Sequence, residues 1–162
     1  SSMSSQAEAA LTIFKSLEGQ EEGVGSWFEV DQERINLFAD ATMDHQFIHI
    51  DPEKSAELSP YKVTIAHGFL TLSLIVHLGG TVPTPRPDAL EGVFMGVNYG
   101  LDKVRFPAPV PVGSKVRARH MLMMAELKAP NTIQLKREVT IELEGSSKPV
   151  CVAESLTRLM YG

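Results

Sequence analysis

Asp44 and His49 stand five residues apart in the densest polar run of the chain, Asp44-His45-Gln46-Phe47-Ile48-His49-Ile50-Asp51. An imidazole with an ordinary pKa of about 6.5 beside a carboxylate suits proton transfer at neutral pH. A loop can fold both side chains toward one water molecule; the plainer alternative is that they are caps or surface groups. Ala66-His67-Gly68 is the second feature. Glycine lets a ligand approach the backbone, and the first amides of a helix have no intrahelical acceptor, so Gly68 is a candidate oxyanion donor. The alternative is that Gly68 only allows close backbone packing, with His67 a hydrogen-bonded structural residue. His45 and His49 are four apart, which on a helix would suit a metal. The following Ile50-Asp51-Pro52 argues for a loop instead, and no metal site is expected. No Gly-x-Ser-x-Gly elbow, P-loop or Gly-x-Gly-x-x-Gly fingerprint is present.

Those groups need elements to hold them. Ala7, Leu11 and Phe14 predict a helix over residues 4–18, ending near Gly19, and a short strand follows over Val24–Val30. Asp31 caps a helix whose Ile35, Phe38, Ala39 and Thr42 share a face. Asp51 caps the next, with Pro52 at its first position and an end near Pro60. Residues 65–78 are apolar almost all round a helical wheel and stop at Gly79-Gly80, which predicts one long helix buried on most sides. The period then changes to two. Ile133, Leu135, Val139 and Ile141 alternate with polar residues, and only Arg137 interrupts the apolar series. Further strands are expected over 92–106, 115–127 and 150–161, with hairpins at 128–131 and 144–149. A long helix and about five strands make an α+β architecture, in which a curved antiparallel sheet wraps the helix and two chains pair. The division expected is an N-terminal helical extension over 1–23 and a single domain over 24–162. Ser1-Ser2 before Met3 reads as an expression scar.

The 162 residues carry a net charge of −5, which argues against general nucleic-acid binding. The charge is uneven: residues 1–58 hold 12 acidic and 3 basic side chains, and residues 101–137 hold 8 basic and 2 acidic. That basic zone is either a solvated strand face or a place for a phosphorylated small ligand, with Lys103 and Arg105 as the candidate phosphate contacts. No apolar run reaches the ~20 residues that cross a bilayer, so no membrane partner is expected. The first residues lack the basic and apolar regions of a secretory leader. The single Cys151 excludes an internal disulfide and a cysteine zinc site, and it fits a reducing, cytoplasmic compartment.

Three stretches carry a resemblance to a known family. Phe38-Ala39-x-x-Thr42-x-Asp44-x-Gln46-x-Ile48-His49-x-Asp51-Pro52, then Ile65-Ala66-His67-Gly68-Phe69-Leu70-Thr71-Leu72-Ser73-Leu74, then residues 98–113 resemble the MaoC-like dehydratases. That family includes R-specific enoyl-CoA hydratases and proteins related to nodulation protein N. The resemblance spans roughly residues 25–160 and implies a hot-dog fold, dimerised edge to edge. It implies reversible addition of water to trans-2-enoyl-CoA, giving (R)-3-hydroxyacyl-CoA, with no cofactor. Asp44 and His49 fall on the family's catalytic pair, and Gly68 on the amide that holds the thioester carbonyl. Substrate contacts are expected from Gln46, Ala66, His67, Ser73, Asn98, Lys103 and Arg105. Where many relatives carry Asn two residues after the Asp, this chain has Gln46, as nodulation-type relatives do. Thr71 and Ser73 are acyl-pocket candidates or simply satisfied helix hydroxyls. Two other readings stand beside this one: a hot-dog acyl-CoA thioesterase, and a non-catalytic module binding acyl-CoA or acyl-carrier protein.

Overall fold

The computed structural model describes residues 3–162; Ser1 and Ser2 lie outside them. Helix α1 (Met3–Leu17) and strands β1 (Glu21–Val24) and β2 (Phe28–Glu29) come first. The strand expected over Val24–Val30 is thus in two pieces. Between them the chain bends toward residue 81, where the Ser26 N–H donates to Thr81 Oγ1 at 3.0 Å. Helix α2 (Gln32–Thr42) begins where its cap predicts, with Asp31 accepting from the Arg34 N–H at 2.9 Å. One turn, α3 (Phe47–Ile50), stands where a loop was expected, and α4 (Pro52–Leu58) starts on the Asp51 cap.

The apolar stretch departs most from expectation. Instead of one helix over 65–78 there are two short segments, α5 (Gly68–Ser73) and α6 (Ile75–Gly79). Residues 65–67 are extended because they bond across to residues 110–111: Ile65 bridges Pro111, and the Ala66 N–H donates to the Val110 carbonyl at 2.9 Å. Ser73 Oγ donates to the Phe69 carbonyl at 2.7 Å, a back-bond that bends helices near the Leu74 break. Burial is one-sided within a single chain. Leu70, Leu74 and Leu78 face inward, whereas Phe69 is 67% exposed and Val76 61%.

Strands β3 (Val93–Arg105), β4 (Lys115–Ala129), β5 (Thr132–Leu143) and β6 (Cys151–Tyr161) complete an antiparallel sheet ordered β1-β4-β5-β6-β3, with β2 also on β4. Both predicted hairpins form, joining β4 to β5 and β5 to β6. The sheet wraps the α5–α6 pair in the hot-dog arrangement. Alternation puts Ile133, Leu135, Val139 and Ile141 on its buried face, as the period of two requires. Two apolar clusters share that face. One gathers under α2, α5 and α6 around Ile35, Leu78, Ala118 and Ile141. The other gathers under α1 around Phe14, Leu122, Leu135 and Tyr161. Each fully buried Leu or Ile contributes about 2 kcal/mol of transfer free energy.

Between the clusters lies a polar seam, and this is what the Arg137 interruption means. The guanidinium is turned inward and holds Glu22 through two bonds, Nε to Oε1 at 2.6 Å and Nη2 to Oε2 at 3.1 Å. His120 lies in the same seam, its Nε2 buried without a partner. These three groups, with Gly79 and the loop at 82–86, line a cavity of about 130 Å³. Cys151 sits in the first cluster, where burial pushes its thiol up to about 11, so it is a core residue and not a nucleophile.

Candidate active site

Helix α3 and the extended residues 65–67 bring His49 and His67 face to face, with ring centroids 3.8 Å apart and planes 23° from parallel. Both are buried. His49 Nδ1 lies 2.7 Å from the Ile65 carbonyl oxygen. A carbonyl can only accept, so Nδ1 carries the hydrogen and Nε2 of the neutral ring is the free, basic atom. Gln32 braces this turn from α2: its Nε2 donates to the His49 carbonyl at 2.7 Å while its Oε1 accepts from Thr64 Oγ1 at 2.5 Å. Burial lowers the His49 pKa below the ordinary histidine value; the Ile65 bond opposes this, His67 adds to it, and the Asp44 charge opposes it.

Asp44 is exposed and follows Met43, whose φ of 61° ends α2 in the left-handed region. One ligand atom from each of Asp44, His49 and His67 lies within 4.8 Å of the others. That spacing admits a small molecule bridging the three groups. A tetrahedral metal needs lone pairs that converge on a point, whereas two nearly parallel stacked rings aim theirs side by side. His45 does not join them; it is exposed and paired with Asp40 at 2.9 Å.

His49, Ala66 and Gly68 line one cavity of about 290 Å³ together with Tyr61, Thr71 and Phe106. Gly68 follows the cap residue His67, so its N–H has no intrahelical acceptor. Its lack of a side chain leaves room for the Phe106 ring. A Cβ at residue 68 would stand 3.0–3.2 Å from that ring. The structure therefore brings Asp44, His49, Ala66, His67 and Gly68 together.

The other expected contacts are dispersed. Gln46 is exposed at the start of α3 and makes no side-chain capping bond there. Ser73 and Asn98 line a separate groove of about 340 Å³ with Leu72, Val76 and Leu101. Lys103 and Arg105 are exposed on β3, and Arg105 bonds its neighbour's carbonyl, Val104 O, at 2.8 Å. Most of the basic zone is already neutralised. Arg117 and Arg119 hold Glu142, Arg119 also holds Glu21, Lys128 holds Glu126, Lys136 holds Asp102 and Glu154, and Arg137 holds Glu22. Among the described residues, Lys103, Arg105 and Lys115 have no carboxylate partner.

Sequence reasoning missed Gln32, Thr64 and Tyr61, which reach the site only through tertiary contacts. Phe106 had a signal, since it opens the proline-rich run at 106–111 within the third family-like stretch.

Known proteins match this chain in sequence and in fold. The family model described as MaoC like domain matches residues 14–142. The chain is 51% identical over 140 residues to 3-hydroxyacyl-thioester dehydratase Z of Mycobacterium tuberculosis, covering 86% of this chain and 89% of that protein. It is 44% identical over 155 residues to nodulation protein N of Rhizobium leguminosarum bv. viciae, covering 95% and 93%. The R-hydratase PhaJ1 of Pseudomonas aeruginosa, in its unliganded form, has the same fold, with a TM-score of 0.66 at 23% identity over 92% of this chain and 86% of that one.

Proposed function

The chain belongs to the MaoC-like dehydratase family, a lyase-type hydratase and dehydratase group, and from that premise we propose that it interconverts trans-2-enoyl-CoA and (R)-3-hydroxyacyl-CoA. The observation that carries this reading is the His49 ring, with Nδ1 held by the Ile65 carbonyl, clustered within 4.8 Å of the Asp44 carboxylate and sharing a cavity with Gly68.

Conjugation to the thioester makes C3 of the alkene electrophilic. Asp44 and His49 hold a water molecule over C3 and accept one of its protons as its oxygen bonds to carbon. The alkene pair moves toward C2 and the carbonyl oxygen, giving an enolate. The Gly68 N–H stabilises that oxygen, a contribution of about 3 kcal/mol for one oriented donor. The pair then delivers a proton to C2, which completes the balanced addition of water. The two groups titrate together, so the proton steps belong to the pair. Elimination runs the same path backward.

Lys103 and Arg105 are proposed to meet the phosphates of CoA, and the groove holding Ser73 and Asn98 to take the acyl chain. Two copies are proposed to pair through β3, an edge strand whose Phe94, Val97, Tyr99 and Leu101 are exposed, as are Phe69 and Val76 of the helix pair. Among the described residues no helix is long and apolar enough to cross a membrane, and a cytoplasmic site of action belongs to the same proposal. Light scattering should give twice the chain mass.

The test is crotonyl-CoA hydration followed by loss of the enoyl ultraviolet absorbance. The expected result is turnover by the wild type, a near-complete loss in Asp44→Asn, and no release of free thiol. Thiol release without hydration would instead show a thioesterase. Binding with neither change would show a module without turnover.

A further inference from the structure

His67 touches every element that carries the reacting groups. It caps α5 directly before Gly68, and its ring is only 3% exposed. Nε2 lies 3.0 Å from the Asp44 main-chain oxygen. One face stacks on His49, and Phe38 of α2 packs against the ring with centroids 5.0 Å apart. Because a carbonyl only accepts, Nε2 carries the hydrogen, and Nδ1 is the ring's second polar atom. That Nδ1 is buried with no partner in the protein. Leaving such an atom unmet lowers stability, so its persistence calls for another benefit from the ring. Among the described residues, the hydrogen bonds that restrain Asp44 are this one and a long 3.4 Å bond from the Gln46 N–H to its carboxylate.

We propose that His67 is a positioning residue: its Nε2–H holds the Asp44 main chain while its ring seats the His49 imidazole, so that the acid–base pair keeps its register with the Gly68 amide one residue away. The proposal rests on the hydratase reading and deepens it. Asp44 ends a left-handed turn, His49 lies on a one-turn helix and Gly68 opens another short helix. The His49 turn is tied to the segment before Gly68 by the Ile65 N–H, which donates to the Ile48 carbonyl at 2.9 Å, and by His49 Nδ1, 2.7 Å from the Ile65 oxygen. Asp44, by contrast, is tied to that segment through His67. A displacement of about 1 Å among such groups costs on the order of 10²-fold in rate. The titratable groups facing the ring are Asp44 from the 43–46 segment and His49 from α3; α2 contributes only Phe38.

The test uses crotonyl-CoA kinetics across pH together with NMR titration of the His49 Cε1–H resonance. His67→Phe keeps a flat ring and loses the donor, whereas His67→Gln keeps a donor near Nε2. His67→Phe should lower kcat by about 10²-fold with KM within about 3-fold. His67→Gln should regain about ten-fold of that loss. In both variants His49 should titrate at higher pH, carrying the acid limb of kcat/KM with it. Wild-type kcat in His67→Phe overturns the proposal. So do equal losses in both variants with an unmoved His49 titration, since a filler ring would act that way. Should His67→Phe not fold, His67→Asn replaces it: its donor lies at the Nδ1 position, and rescue by Gln but not Asn is the expected result, equal activity the contrary one. A wild type with no hydration removes the functional reading alone. The His49 titration in His67→Gln then still decides, and an unchanged midpoint ends the proposal.

Discussion

At the front of the α5–α6 pair, His49 lies near the exposed Asp44 carboxylate and lines a cavity of about 290 Å³. At the far end, past Gly79 and roughly 16 Å along the helices, His120 sits beside a carboxylate already bound to Arg137. Burial lowers the pKa of both rings, His120 to about 4, with the Arg137 charge adding to the effect there. Burial is therefore not what separates them. His49 has one nitrogen pinned by Ile65 and a face fixed by His67, which leaves a single defined basic atom. His120 has a buried nitrogen with no partner and a neighbouring acid that is committed elsewhere. A perturbed histidine becomes a candidate for chemistry when its hydrogen, its ring plane and an uncommitted carboxylate are all set.

The sharpest way to break this contrast is to exchange the fates of the two rings. His49→Ala should lower kcat/KM for enoyl-CoA hydration by about 10³-fold, with a melting temperature changed by only a few degrees. His120→Phe should leave kcat/KM within about 3-fold, because it contacts no reacting group. A reversed pattern would move the active site to the seam. The wild-type acid limb of kcat/KM should also fall below about pH 6.5, since the lowered His49 pKa keeps Nε2 free to a more acid pH.

Next in size is the seam's ion pair. Arg137→Met leaves Glu22, whose side chain is 7% exposed, buried without its partner. The expected cost is about 3 kcal/mol in urea unfolding, and Glu22→Leu in that background should recover most of it. A cost near zero would mean that the seam is solvated like a surface.

The pH dependence of stability tests the same region. The folded pKa of His120, about 4, lies below the ordinary 6.5, so between these values the unfolded chain binds more protons. Stability from this group is complete above about 6.5 and is lost as pH falls toward 4, by up to about 2–3 kcal/mol. Unfolding at pH 7 and pH 4.5 should show this slope in the wild type and a flatter one in His120→Phe. The smallest effect belongs to Gly68→Ala. The added Cβ presses on Phe106 and should lower kcat/KM by about 10-fold; Phe106→Leu in the same chain should restore part of it.

What the sequence disclosed follows from the range of the forces involved. The Asp31 and Asp51 caps act within three residues, and the alternation of β5 within two, so each was legible locally. Asp44, His49 and Gly68 stood out by residue type and by family resemblance, but the pinning of His49 depends on residue 65, brought close only by folding. The inward Arg137 was visible as an interruption, yet its meaning lay 115 residues away in Glu22. Charge counting over 101–137 gave the sign of the zone but not which cations stay free. Arg117, Arg119, Lys128, Lys136 and Arg137 find acids at 21–22, 102, 126, 142 and 154, most of them outside the segment, while Lys103, Arg105 and Lys115 have no carboxylate partner among the described residues. The wheel of residues 65–78 was apolar all round because one face meets the sheet and the other remains uncovered in the single chain.

One consequence reaches into mutational robustness. The acceptor that fixes the His49 tautomer is a main-chain carbonyl, so no exchange of side chain at position 65 removes it. Only an insertion, a deletion or a proline that shifts the local backbone can do so. The choice of which nitrogen stays basic is thus shielded from most single-codon changes, and damage to it should arise from length variation in the segment before Ile65 far more than from drift at Ile65 itself.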